Sequence, residues 1–399
     1  MITGDAAFIK KLNRGLILSK IIEHNGISRA NLSKVTGLNK ATISVQVADL
    51  LDEELLIEGQ QEHTNLGRRP IILTLNRKAG YALGIDLDKD QAIFTLSDLL
   101  GYPIQTVTIA LRTTNYQKIL DLLIEQINIF KTDYKESAYG IIGVVVGIHG
   151  IVSNDEMIYY IPQLQWREKN LKSDLERSSA VPVYIENNAN LSAFAERVYR
   201  HNQSDSLLSI TMQTGIGLGM MMNGELLKGY HGYAGEMGHM IVVPDGIACN
   251  CGNQGCWEQY ASEVSYLKHL AKKKGNDNLT ILDIKSLIES GDTDACEQMD
   301  SFIKYVAIGM NNVINLYNPE VIVLNSELLY LYPNAIKEIK EKLTSTISHY
   351  GDLHVSELGK QACVMGACVF AIKKFLEISN LNLEITEETM AQSGEYMFL

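Results

Sequence analysis

No apolar run in these 399 residues approaches the ~18 that a membrane-spanning helix needs. The longest, Ile141 to Ile148, reads as a buried strand. The N-terminus lacks an apolar core behind basic residues followed by a small-residue cleavage site, so export is not expected. Cysteine is scarce: six residues are too few to staple so long a chain, and three of them cluster at 249, 251 and 256. Both absences point to a reducing cytoplasm. Heptads, low-complexity tracts and short repeats are missing too. A surplus of positive charge is absent, since the net charge is −12, which excludes one large basic surface for nucleic acid. What remains, 46% hydrophobic and 21% charged, is the mix of a soluble globular protein rather than a disordered one. At about 100–200 residues per domain the length allows two or three domains.

The charge is unevenly spread. Residues 1–51 hold seven basic side chains (Lys10, Lys11, Arg14, Lys20, Arg29, Lys34, Lys40) against three acidic ones (Asp5, Glu23, Asp49). A basic head on an acidic body would let only the head meet a polyanion. In that head, Phe8, Leu12, Leu16, Ile17 and Ile21 recur at helical spacing until His24-Asn25-Gly26. Ser28 can cap a second helix, Arg29 to Val35, with Ala30, Leu32 and Val35 as its apolar positions. Gly37 supplies a tight turn, and Asn39 can cap a third helix, Lys40 to Glu54, with Ile43, Val47, Leu50 and Leu51 inward. That leaves the tips of Lys40, Thr42, Ser44 and Gln46 for base edges, with Arg29 nearby. A strand (Leu55 to Ile57), a polar loop from Glu58 to Asn65, Gly67-Arg68-Arg69-Pro70 and a strand from Ile71 to Leu75 complete a wing. Arg68 and Arg69 at its tip suit a minor groove or phosphates. A winged helix-turn-helix is therefore expected over residues 1–76. The alternative is a three-helix module for protein contacts.

From Gly80 the pattern becomes α/β. Three successive strands (Tyr81 to Leu87, Ala92 to Asp98, Ile104 to Leu111) precede a helix, Asn115 to Lys131, and a strand, Tyr139 to Ile148. A second strand hairpin (Leu207 to Met212, Leu218 to Met222) precedes helices at Glu258 to Lys273 and Ala295 to Tyr317. Strand hairpins followed by α/β units, twice over, predict two related lobes around a ligand cleft. The expected boundaries are 77–200, completed by a helix near 363–378, and 201–399.

The sharpest chemistry is His239 followed by Cys249, Cys251 and Cys256 within Cys-Asn-Cys-Gly-Asn-Gln-Gly-Cys. One imidazole and three thiolates make a tetrahedral zinc set of the closed, structural kind. Buried or redox-active thiols are the alternative. Glu236 and Glu258 flank the loop, and Asn187 and Asn188 sit where a strand turns into a helix. Acids and amides converging on a cleft suit a sugar, whose hydroxyls both donate and accept. Trp166 is a candidate aromatic wall, and His239 can bind metal through one nitrogen and ligand through the other. Gly215, Gly217 and Gly219 form either a phosphate-cradling turn or a hairpin bend.

The segments Gly235-Glu236-Met237-Gly238-His239 and Cys249-x-Cys251-Gly252-x-x-Gly255-Cys256-x-Glu258 resemble the signature and zinc motif of the ROK family. That family joins sugar kinases and sugar-responsive repressors on an actin/hexokinase-like fold. The likeness covers essentially the whole chain, and the head, with Ser28-Arg29-Ala30-Asn31-Leu32-Ser33 and Gly37 to Ser44, is similar to the repressor branch. The resemblance implies operator DNA as partner, xylose or a related monosaccharide as effector, structural zinc, and a homodimer or tetramer. It also exposes losses. The general-base aspartate of the kinases is Asn188 here, and an amide cannot take the sugar proton. The kinases' Asp-x-Gly-Gly-Thr reads Asp86-Leu87-Asp88-Lys89-Asp90, and their glycine pair near the adenine is Asn325-Ser326. The Pro-Gly turn is His149-Gly150. These changes imply a sugar cleft without phosphoryl transfer, hence no catalytic residues. A sugar kinase with an accessory DNA-binding head, and a repressor answering a protein partner, stay open as alternatives.

Overall fold

Two side-chain caps organise the N-terminal module of the computed structural model, which describes residues 6–60 and 71–383. Helix α1 (Ala6–Glu23) leads through strand β1 (Ile27–Ser28) to α2 (Arg29–Thr36) and α3 (Lys40–Asp52). Asn31 N–H donates to Ser28 Oγ at 3.3 Å, and Thr42 N–H donates to Asn39 Oδ1 at 2.8 Å. Each cap satisfies an orphan amide at a helix start. Between them Gly37 takes φ +71°, the left-handed turn that the sequence predicts. Strands β2 (Leu56–Gln60) and β3 (Ile71–Leu75) pair antiparallel from Leu56↔Leu75 to Gln60↔Ile71, with β1 on the other side of β3. Glu58 to Gln60 are thus strand, where a loop was expected. Arg68 and Arg69, the expected wing tip, lie outside the described residues.

Helix α1 buries only part of the face its spacing suggested, Ile17 and Ile21. Ile17, Leu18, Ile21 and Ile22 face inward, whereas Phe8, Leu12 and Leu16 are 52%, 55% and 38% exposed. Val35 of α2 is exposed as well.

Contacts divide the described residues into two units. The first holds residues up to Asn187, Val198–Asn202 and the C-terminal helix from Val364; the second holds Asn188–Arg197 and Gln203–Cys363. In the first, β4 (Gly80–Leu87), β5 (Gln91–Asp98) and β6 (Pro103–Ala110) form an antiparallel meander. Helix α4 (Tyr116–Asp133) then crosses to β7 (Gly140–Ile148), and after a small sheet of β8 (Ile151–Val152), β9 (Ile158–Ile161) and β10 (Trp166–Lys169), helix α5 (Leu171–Ser179) leads to β11 (Val183–Asn187). The order β11-β7-β4-β5-β6 has β4, β7 and β11 parallel. Crossover helices bury parallel strands on both faces, which is why β7 is apolar nearly throughout.

Helix α6 (Asn188–Tyr199) opens the second unit. Its meander is β12 (Ser206–Thr211), β13 (Gly217–Met222) and β14 (Glu225–Leu226). Helices α7 (Glu258–Ala261), α8 (Glu263–Lys274), α9 (Ile281–Glu289) and α10 (Thr293–Tyr317) follow, then β15 (Val321–Asn325), α11 (Glu327–Tyr330), α12 (Ala335–Lys342) and β16 (Asp352–Val355). Strands β12, β15 and β16 are parallel, so the order β16-β15-β12-β13-β14 repeats the plan of the first sheet. The closing helix is α13 (Ala362–Leu376). Each unit has its own apolar core, around Phe94, Phe130 and Trp166 in the first and Trp257, Tyr266 and Phe302 in the second.

The helix expected over Glu258 to Lys273 is broken at Ser262. Its extended backbone and its side chain, accepting from Ser265 N–H, restart the helix as α8. The expected boundary near residue 200 also differs from the observed units, which place Asn188–Arg197 with the second. The reason is close packing: a Cβ on Gly219 of β13 would lie 2.2 Å from the Ala189 carbonyl oxygen, so only glycine admits the start of α6 there. Gly217 likewise sits against Ala189. Both glycines serve this approach within the β12–β13 hairpin.

Candidate functional site

His239 and the three cysteines converge within the second unit. One ligand atom from each of His239, Cys249, Cys251 and Cys256 lies within 4.8 Å of the others. Cys249 Sγ is 3.6 Å from His239 Nδ1, and Cys251 Sγ is 3.6 Å from Cys256 Sγ. A tetrahedral zinc with bonds of about 2.3 Å to sulfur has edges near 3.8 Å, so the donor set and its spacing fit that ion. The loop is folded back by short backbone bonds: Cys249 N–H donates to Asn253 O (2.9 Å), and Gly255 N–H to Ile247 O (2.8 Å). Gly255 adopts φ +82°, and a Cβ there would collide with the Val243 carbonyl oxygen at 1.7 Å.

Glu258 follows directly. Its Oε1 is 3.2 Å from Cys249 Sγ and 3.6 Å from His239 Nδ1. Its Oε2 lies against Gly215, where a Cβ would be 3.0 Å away. On the other side of the ring, His239 Nε2 is 4.0 Å from Glu236 Oε2. The imidazole therefore stands between two carboxylates, with Nδ1 toward the sulfurs and Nε2 toward Glu236. Asn188 begins α6 in the same unit.

In the first unit, Asn187 ends β11 and its Nδ2 donates to Gly150 O at 2.9 Å. Beside it, at the end of β7, His149 Nε2 is 2.7 Å from Asp86 Oδ1 at the end of β4. Both side chains are mostly buried. These groups share the carboxyl edge of the parallel strands, the edge where α/β sheets bind ligands. Burial alone would push the His149 imidazole down. The Asp86 charge and hydrogen bond, with Asp88 behind them, overrule it and hold the ring at about 9. Sequence reading singled out His149 only as a departure from a turn, and the ion pair became visible only when the strand ends were brought together.

That pair sets a pH dependence. A histidine whose pKa rises from 6.5 to about 9 on folding contributes stability that is fully present below pH 6.5 and is lost as pH rises through 9. The contribution at pH 7 is on the order of 2–3 kcal/mol. His149→Gln is thus expected to melt below the native protein at pH 7, with the gap closing by pH 10. Melting curves of the two proteins across that range check it, and a gap independent of pH would refute it.

Trp166 is not an open wall. It is 3% exposed in the first unit's core, its Nε1 donates to Thr114 O at 2.7 Å, and its ring packs edge-on against Tyr116. A large indole with a satisfied N–H is better buried than exposed, and the sequence pattern around it does not separate the two cases.

In the head, Lys40 and Ser44 are exposed on the N-terminal half of α3 and Thr42 is half-buried. Gln46 is 5% exposed and belongs to the inward face, so its tip is not free as expected. Arg29 is half-buried and forms a 2.5 Å ion pair with Glu58 of β2. Sequence reading missed Val45, 59% exposed on α3 between those polar positions. An apolar tip there could meet a thymine methyl group.

The sequence pattern of the ROK family matches residues 82–374. The chain belongs to the ROK family. Among its relatives, the xylose repressor of Bacillus subtilis (strain 168) is 36% identical over 380 residues, covering 94% of this chain and 98% of that protein. A crystal structure of a ROK family transcriptional regulator, a homolog of the E. coli MLC protein, superposes with TM-score 0.79 at 26% identity, covering 94% of this chain and 98% of the other. A ROK family glucokinase from Streptomyces griseus, at 24% identity and TM-score 0.63, covers 73% of this chain and 99% of its own, and so shares the fold. The actin/hexokinase-like sheets expected from sequence are those of the family.

Against the ROK kinase pattern, the departures carry structure of their own. Asn325 and Ser326, in place of a glycine pair, are buried. Asn325 Nδ2 donates to Gly359 O, and its Oδ1 accepts from Gln213. Ser326 Oγ donates to Glu263 Oε1 at 2.7 Å and caps α11. Asp86, the first residue of the kinases' phosphate turn, is engaged by His149.

Proposed function

We propose that this chain is a transcriptional repressor whose operator binding is governed by a monosaccharide, with xylose the effector we assign. The observation that carries the reading is the joining of a capped helix-turn-helix with wing strands to a ROK body in which the base position is Asn188 and the phosphate-turn carboxylate is paired with His149. An amide cannot accept the proton that a hydroxyl must lose in phosphoryl transfer. The body is left able to hold a sugar and unable to alter it.

Lys40, Thr42, Ser44 and Val45 are the side chains we assign to DNA, with Arg68 and Arg69 in the adjoining groove. Paired third helices of a dimer would read the two halves of a palindrome, spaced about one helical turn apart. For the effector we assign Glu236, His239, Glu258 and Asn188 of the second unit and Asn187 of the first. Carboxylates and amides match the alternating donors and acceptors of sugar hydroxyls. His239 and Cys249, Cys251 and Cys256 would hold zinc. Four protein ligands close the ion, which supplies a fixed point for the loop bearing Glu258 rather than Lewis-acid chemistry. By linkage, a sugar that weakens DNA binding must itself bind less tightly to the DNA complex.

The test is operator affinity measured against a panel of pentoses and hexoses, using a duplex that the chain selects from a random library. D-xylose is expected to weaken binding at least about tenfold, a coupling near 1.4 kcal/mol. Affinity unmoved by every sugar on the panel would refute the effector reading.

A further inference from the structure

Just past its far end, the recognition helix is held by two side chains, Tyr139 from the body and Asn76 at the junction of wing and body. Helix α3 finishes with Glu53 at its C-cap and Glu54 at φ +60°, a left-handed residue that turns the chain into the wing. A helix end leaves carbonyls without intrahelical partners. Here Tyr139 Oη donates to Glu53 O at 2.9 Å, and Asn76 Nδ2 donates to Glu54 O at 2.9 Å. Two consecutive carbonyls are thus taken, that of Glu53 by the body and that of Glu54 by the residue that closes the wing. The Glu53 side chain is paired in turn with Arg14 of α1 at 2.5 Å.

Both donors stand on rigid footing. Tyr139 immediately precedes β7, and its N–H donates to Ala79 O at 2.7 Å. Its ring meets Phe375 of α13 edge-on, centroids 5.0 Å apart. Asn76 directly follows β3, and its own N–H donates to Leu55 O at 2.9 Å. Strands β4 and β7 are parallel neighbours, Gly80 opposite Gly140. Eight and nine residues long, at about 3.3 Å each, and almost wholly buried, they end at Leu87 and Ile148, next to Asp86 and His149. The phenol stays protonated: burial and the nearby Glu53 charge both raise it above the ordinary tyrosine value. It remains a donor throughout the neutral range.

We propose that Tyr139 and Asn76 are positioning residues for operator reading: they hold the two carbonyls that directly follow α3, those of Glu53 and Glu54, and so fix the angle at which the helix's opposite end meets DNA. The proposal rests on α3 being the recognition helix. It adds what selects the orientation of that helix, which its own caps do not determine. Removing one donor leaves the head folded and lets α3 sample more orientations. Specific binding then weakens by the fraction of molecules still correctly oriented, while contacts to phosphates tolerate the change.

The experiment uses the full chain and its Tyr139→Phe and Asn76→Ala variants. Each is titrated with the duplex that the native chain selects from a random library and with a scrambled duplex of equal length. For both variants the specific affinity is expected to fall about three- to tenfold, the scale of one lost hydrogen bond. Scrambled-duplex affinity should stay within about twofold. The ratio of the two affinities is the deciding readout, because partial unfolding would lower both together. Tyr139→Phe keeps the ring on Phe375, and Asn76→Ala tests the second carbonyl without touching that packing. A ratio within about twofold of native in both variants would overturn the proposal. A native chain that selects no duplex would instead overturn the recognition-helix reading, before any variant is made.

Discussion

Replacing Cys256 with serine is expected to empty the metal cluster, taking zinc from about one per chain to none and lowering stability by about 3 kcal/mol or more. Cys256 is fully buried, with its sulfur 3.6 Å from Cys251 Sγ and 3.6 Å from the His239 carbonyl oxygen. Without metal, the loop from Cys249 to Cys256 keeps only a few backbone bonds, among them those through Asn253 and Ile247. Glu258, two residues on, loses the anchor that aims its carboxylate. Xylose affinity should therefore fall by more than about tenfold, since an unplaced charged hydrogen bond costs roughly 1.5–3 kcal/mol. Operator affinity without sugar should change little, because the head belongs to the first unit. Metal analysis, melting curves and calorimetry check the three parts. Chelated native protein should melt where the variant does, and native protein purified without any bound zinc would contradict the assignment.

The second large effect is expected from Gly309→Ala. Gly309 lies on α10 beneath the Trp257 indole, and a Cβ there would sit 2.0–2.3 Å from three ring atoms. Trp257 is fully buried and donates through Nε1 to Tyr305 O at 2.8 Å, one turn earlier on the same helix. The indole cannot retreat without giving up that bond and its place in the core. Alanine favours a helix over glycine by up to about 1 kcal/mol. Overpacking of this severity outweighs that gain, and the net expectation is a loss of about 3 kcal/mol. Trp257 also connects Cys256 to Glu258, so the displacement reaches the side chains proposed for metal and for sugar together. Urea denaturation checks it, and a variant as stable as the native chain would show that the indole has room to move.

Much of this was legible in the residues themselves. The central strands of both sheets fall within a residue or two of expectation, because apolar runs bounded by turns mark buried strands well, whereas the short edge strands β14 and β16 were not foreseen. The caps at Ser28 and Asn39 are read correctly because a cap is a local hydrogen bond with a local signature. What escaped depends on distant partners. Helix α12 is mostly charged on its exposed side, and its few apolar positions gain meaning only against α10 and the second core. Gln46 looks like a surface residue by type, yet helical geometry turns it inward with Val47 and Leu50. Trp166 could equally have been wall or core, and only its bond to Thr114 O decides. The cluster of His239, Cys249, Cys251 and Cys256 was legible as a set, since three cysteines and a histidine at short spacing have few uses besides holding a metal. The His149–Asp86 pair, 63 residues apart, was not.

The body is expected to sense a sugar and leave it unchanged. The direct measurement is a single mixture: full-length chain on its selected duplex, with D-xylose, magnesium and ATP, followed by fluorescence anisotropy of the DNA and then by chromatography of the sugar. The expected result is release of the duplex with every sugar molecule recovered intact. Steady formation of a phosphorylated sugar at even about one turnover per second, the low end of ordinary enzyme rates, would contradict it.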